Sequence, residues 1–221
     1  GFMDAISPFA VKGVIYYQGE NSAHLRYAYE PLLRDYIRGL RIEFKDDHLP
    51  VMLVQLAGFG YTNKGTDKDD WPYIREVQER VANTTDHVGL VTAIDLTDPE
   101  PCQIHPREKK KIAERLAYLA MNLIYGHDKQ CNSPRIRSYR MGGKRIVVEL
   151  DCVYDSIYFK NGIAKGFEIL DAQGKWWSAE AKINPDNTVE IWSDEVPTPQ
   201  GARYAWYNYP EISLFSTEGL P

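Results

Sequence analysis

The 221-residue sequence predicts an α/β fold. A partial three-layer α/β/α domain with parallel strands is expected over residues 1–127, then a small antiparallel, sandwich-like β domain over residues 128–221. Three observations carry this. In the first half, short continuous apolar runs alternate with helical periodicity, the pattern of strands buried on both faces and joined by crossover helices. After Gly126 the helices give way to short strands with turn signals roughly every 8–12 residues. The first half also holds only three apolar runs, few for a parallel sheet.

The first strand is "VKGVIYYQ" (11–18). Residues 22–45 read as a helix, because Leu25, Tyr29, Leu32, Tyr36 and Leu40 recur at spacings of three and four. Ser22 is placed to cap it. Pro31 either kinks this helix or marks where its regular part begins. "LPVMLVQLA" (49–57) is the second buried strand, followed by a polar loop over 58–70. The next helix, "WPYIREVQERVANT", has Asp70 as its expected cap and Pro72 in its first turn. "VGLVTAIDL" (88–96) is the third strand. The clearest helix is "HPREKKKIAERLAYLAMNLIYG". Pro106 is expected in its first turn, Ile112, Leu116, Leu119 and Leu123 share a face, and Gly126 ends it. In the second half, "RIRSYRMGGKRIVVELD" reads as a hairpin about Gly142 and Gly143, and "ARYAWYNYP" as a last strand.

Composition removes several function classes. The formal net charge is -5, which argues against nucleic acid or an anionic membrane as partner. No apolar run approaches the roughly 18 residues of a membrane span. Three scattered Cys are too few for a disulfide framework or a zinc site, and no metal or cofactor is expected. The basic run Arg107 to Lys111 reads as a solvated helix face. "GFMDAISPFA" lacks the charged and apolar regions of a signal peptide, and its opening on Gly rather than Met suggests a tag remnant or a piece of a longer chain.

Ligands of open parallel sheets bind beyond the carboxyl ends of the strands. That singles out "QGENS", "AGFGYTN" and "DLTDPEPCQIHP", and places Gln18, Glu20 and His105 on one rim if the strands are adjacent. His105, in a Pro-bounded loop, is the candidate general base. The Gln18 carboxamide can donate to a developing oxyanion, or satisfy loop backbone. Gly19 permits close approach of backbone to a ligand. Glu20 can act as an acid/base group or hold the loop, and the second role is favoured.

"SPFAVKGVIYYQGENSA", "WPYIREVQ", "IDLTDPEPCQIHPREKKKIAERLA" and "GARYAWYNYP…LFSTEGLP" together resemble the sialate O-acetylesterase family of SGNH-type hydrolases, in the right order over the whole chain. The resemblance implies a flavodoxin-like core and a Ser-His mechanism that removes acetyl groups from sialic acid or another acetylated saccharide. It gives His105 the catalytic role, Gln18 that of an oxyanion-hole or substrate-positioning donor and Glu20 a structural one; Gly19 and Glu20 are expected beside the substrate. Trp71, Arg75 and Gln78 become architecture. It tilts localisation slightly toward secreted or periplasmic. The sequence departs from the family twice. Where many SGNH hydrolases carry an Asp three residues before the His, this chain has Cys102, which leaves Asp98, Asp95, Glu100 or a backbone carbonyl to orient His105. And no serine lies in the family's Gly-Asp/Gln-Ser nucleophile block. The chain is therefore expected to lack the first strand and to need an N-terminal fragment of the same protein, or a second copy, against its exposed edge. The alternative is a catalytically inactive module that binds carbohydrate or a partner through Trp176, Trp177, Trp192 and Trp206. A glycosidase built on Glu20 is disfavoured, because three strands cannot close a barrel.

Overall fold

A computed structural model describes residues 5–60, 70–100, 103–151 and 154–221. Cys102, Gly1 and most of the 58–70 loop lie outside the described residues. The first half is a three-stranded parallel sheet in the order β1 (Val14–Tyr16), β2 (Val51–Gln55), β3 (Val88–Thr92). Helix α1 (Arg26–Phe44) connects β1 to β2, α2 (Trp71–Thr84) connects β2 to β3, and α3 (Lys109–Tyr125) follows β3.

The pleat explains the layering. Alternate strand residues point to opposite faces. Val51, Leu53, Val88 and Leu90 pack beneath Leu33 and Ile37 of α1 and Ile74, Val77 and Val81 of α2. Met52, Val54 and Val91 point the other way, against Ile112, Leu116 and Leu119 of α3. A Cβ on Gly89 would stand 2.7 Å from a Leu119 methyl, so that glycine lets α3 seat directly on β3. The result is the α/β/α sandwich expected from the sequence.

The helix starts differ from their sequence reading. Residues Glu20–Leu25 form a 3₁₀ turn, and α1 begins only at Arg26, without a side-chain cap. Ser22 is inside that turn and caps nothing; its hydroxyl accepts a hydrogen bond from the Gln18 amide at 3.0 Å. Pro31 sits within a continuous α1 and does not mark its start. Asp70 occupies the N-cap position of α2, but its carboxylate pairs with Arg26 instead of the helix amides. Pro106 precedes α3, which begins at Lys109 with Glu108 as cap, so His105 lies in a loop upstream of the helix.

The second half is antiparallel. β4 (Arg135–Gly142) and β5 (Arg145–Asp151) form a hairpin through Gly143 and Lys144, with Gly143 at the positive φ such tight turns require. They join β9 (Glu180–Ile183) and β10 (Val189–Trp192) in the order β4-β5-β10-β9. β7 (Phe167–Leu170), β8 (Trp176–Ser178) and β11 (Gly201–Tyr204) make a second sheet, and β6 (Ile157–Phe159) pairs with β12 (Leu214–Ser216). Ile146, Val148, Phe167, Ile169, Val189 and Ile191 form their shared core.

The segment after β11 returns to the carboxyl end of the parallel sheet. Arg75 of α2, buried, donates to the carbonyls of Ala205 and Tyr207 at 3.1 and 2.6 Å. Asn208 accepts from the Trp71 amide and, through its carbonyl, from the Phe59 amide. The Tyr209 hydroxyl donates to the Asp98 carbonyl at 2.9 Å. These bonds tie the β half to the loops that carry the candidate site.

Candidate active site

Three strand ends build one pocket of about 550 Å³. The first wall leaves β1. The backbone turns sharply at Gly19, whose φ of 150° is open to glycine and strained for other residues. The turn is held from below: the Gln18 carbonyl accepts from the buried Gln78 amide at 3.0 Å and from the Tyr29 hydroxyl at 3.1 Å. The Gln78 oxygen accepts from the Leu56 amide, which fastens the same residue to the end of β2. Past the turn, Tyr17, Gln18, Glu20 and Asn21 line the pocket.

The second wall leaves β2 and is apolar. Phe59 and Trp71 stack at 5.1 Å between ring centroids, and the Trp71 indole donates to the Ala57 carbonyl. The third wall leaves β3. Arg115 of α3 grips it through a bidentate pair with Asp95, both bonds 2.7 Å, and a bond to the Thr92 carbonyl. Beyond it come Ile104, His105 and Lys109.

Gln18, Glu20 and His105 therefore share one cavity. Gly19 does not line it. A Cβ there would meet Ile74 at 2.8 Å, the Tyr29 hydroxyl at 3.2 Å and Gln78 at 3.3 Å, so its missing side chain lets the turn seat against α1 and α2. The Gln18 carboxamide is largely committed within its own loop, accepting from Tyr16 and donating to Ser22, both at 3.0 Å. The Glu20 carboxylate makes no hydrogen bond or ion pair among the described residues, while Gln78 and Tyr29 hold the loop through the Gln18 carbonyl. Of the three candidate acids, Asp95 is engaged by Arg115, exposed Glu100 pairs with Arg107, and buried Asp98 also pairs with Arg107 at 3.3 Å. None of these three bonds the His105 ring, and among the described residues the His105 backbone amide donates to Gln103.

The pocket also gathers residues that sequence patterning does not single out. Asn21 presents a carboxamide with no partner among the described residues. Tyr17 has a buried hydroxyl without a hydrogen-bond partner there, and burial, aided by the Glu20 charge, pushes its pKa up to about 12. The ammonium of Lys109 lies over the Tyr17 ring at 4.8 Å. Tyr17 and Asn21 stand in the quoted "YYQGENSA" stretch and Lys109 in "IHPREKKK", but their contacts follow only from tertiary packing.

The tryptophans of the β half offer no bare platform. Arg203 covers Trp176, Lys175 covers Trp177 and Arg145 covers Trp192, while Trp206 packs edge-on to Tyr73. Among the described residues no group of His, Cys, Asp and Glu is placed to hold a metal ion, and no helix is long and apolar enough to cross a membrane.

The family described as carbohydrate esterase, sialic acid-specific acetylesterase matches residues 3–122. The rat sialate O-acetylesterase is 27% identical, over 90% of this chain and 40% of its own length. A crystal structure of a carbohydrate acetylesterase from Xanthomonas citri superposes with a TM-score of 0.90 at 30% identity, covering 98% of this chain and 50% of that one. The chain thus spans half or less of the relatives it matches.

Proposed function

We propose, from the premise that the chain belongs to the family of sialic acid-specific acetylesterases, that it forms part of an O-acetylesterase acting on acetylated sialic acid or a related acetylated sugar. The observation that carries this is the convergence of His105 with carboxamide donors on one pocket at the carboxyl end of the parallel sheet.

In this reading a serine hydroxyl attacks the acetyl carbonyl while His105 removes its proton. Negative charge develops on the carbonyl oxygen, where fixed N–H donors matter most. Among the described residues Gln18 retains one N–H beyond its bond to Ser22 and the Asn21 amide has no partner, so both carboxamides are assigned to that oxygen. His105 then returns the proton to the departing sugar hydroxyl, and water releases acetate from the acyl-enzyme by the same steps in reverse. Asp98 is favoured as the group that orients His105, because it alone of the three acids is buried in the loop that leads to it. Tyr17, Phe59 and Trp71 give the apolar surface for the acetyl methyl and the sugar face.

No Gly-Asp/Gln-Ser block occurs in the sequence, so the nucleophile is assigned to another segment, supplied by an N-terminal part of the same protein. Acetate release from O-acetylated sialic acid tests the proposal. The chain alone is expected to be silent, the chain mixed with the upstream segment active, and His105→Ala inactive in the mixture. Turnover by the mixture that persists in His105→Ala sinks the assignment.

A further inference from the structure

The basic run that opens α3 is exposed throughout, but its charges are not equivalent. Arg107 is neutralised by Asp98 and Glu100, both at 3.3 Å, and Lys110 reaches Glu114 along the helix. Lys109 behaves differently. Among the described residues it makes no ion pair, its ammonium rests on the face of Tyr17, and it lines the same pocket as His105. A cation held against an aromatic ring is positioned at little cost in side-chain freedom, since the ring restrains the long stem. It also stands in the first turn of a helix, where the backbone dipole adds to its pull on an anion.

We propose that Lys109 determines specificity by pairing with the carboxylate of an acidic saccharide bound in this pocket. The inference rests on the esterase reading of the site and deepens it. Besides the imidazole, the pocket holds two charged side chains, Lys109 and Glu20. An acidic sugar is drawn to the Lys109 side and kept off the Glu20 side. That polarity fixes which end of the sugar meets His105, and a neutral acetylated sugar gains nothing from it. Lys109 does not touch the acetyl group; it selects and orients the substrate.

Binding tests this without turnover. N-acetylneuraminic acid and its methyl ester are titrated into the chain by NMR, with glucuronic acid and its methyl ester as a second pair. The acid is expected to bind about five- to tenfold more tightly than its ester, the range between an exposed and a partly desolvated charge pair. Lys109→Met keeps an apolar side chain against Tyr17 and should bring the ratio close to one, whereas Lys109→Arg should retain it. Preference in both pairs assigns Lys109 to carboxylates at large; preference in the first pair alone assigns it to sialic acid. Equal affinity for acid and ester, no detectable binding of either acid, or an unaltered ratio in a folded Lys109→Met protein overturns the proposal. Failure of the esterase reading would appear separately, as missing acetate release, and would leave this ratio unaffected.

Discussion

At the residue scale, the strand exit at Gly19 governs the site. Its φ of 150° and its contacts with Ile74, Tyr29 and Gln78 leave neither the backbone conformation nor the space for a side chain. Gly19→Ala is expected to cost about 1–3 kcal/mol, the range for a strained backbone position with local repacking. A urea titration of the two proteins measures it, and equal midpoints would mean that the turn is not strained. The same neighbourhood shows what was legible in the sequence. "QGE" at the end of an apolar run identifies Gln18 and Glu20, and a histidine at the end of another identifies His105. The partners of those side chains were not legible. Ser22 has the residue type of a cap, yet it serves the Gln18 amide, because the chain enters a 3₁₀ turn before α1 begins. Lys109 sits in a run of like charges within the family-like "IHPREKKK" stretch, and its contact with Tyr17 is given only by the tertiary fold.

At the element scale, α2 is the scaffold that aligns the three walls. Gln78 bridges β1 and β2 through the Gln18 carbonyl and the Leu56 amide, and Arg75 holds the returning β segment. Gln78→Leu removes these bonds at nearly constant volume and leaves the buried Leu56 amide unpaired. The expected loss is about 2 kcal/mol, read as a lower unfolding midpoint. Glu79, one residue on, lines a cavity between α2 and the β half. Burial pushes its carboxyl above the usual carboxylate value, against the smaller opposing pull of Arg135. Because the folded value is raised, folding favours the protonated form. Its contribution is full below the unfolded value of about 4.3 and is lost as pH rises through the folded one. Glu79→Gln should therefore raise the melting temperature at pH 7 and change it little at pH 4. An equal rise at both pH values would show that the carboxylate is not penalised. Helices and strands were legible because the periods 3.6 and 2 repeat over many residues. Their ends were less so: Pro106 and Asp70 have the right composition for helix starts, but one precedes α3 and the other is held by Arg26.

At the scale of the whole molecule, the parallel sheet is open on its β1 side. β1 pairs with β2 alone among the described residues, and Ile15 on it is 59% exposed. Phe9 and Val11, just before it, are exposed as well, which extends an apolar strip along an unpaired strand. Such an edge is a template for another strand. The rat and Xanthomonas citri relatives carry as much chain again, or more, beyond the part that matches here, and no serine is among the described residues that line the pocket beside this edge. The occupant proposed for this edge is an N-terminal segment of the same protein, which would add a strand next to β1 and bring a serine to His105. The expected result is a 1:1 complex when the upstream segment is added, seen by sedimentation, with a higher melting temperature than the chain alone. Ile15→Lys should weaken that complex and lower acetate release in the same proportion, since the charge would be buried by the incoming strand. Self-association of the chain that the added segment does not displace would assign the edge to a second copy instead. A folded monomer indifferent to the segment would mean that the edge is finished as it stands, and that the serine reaches His105 by another route.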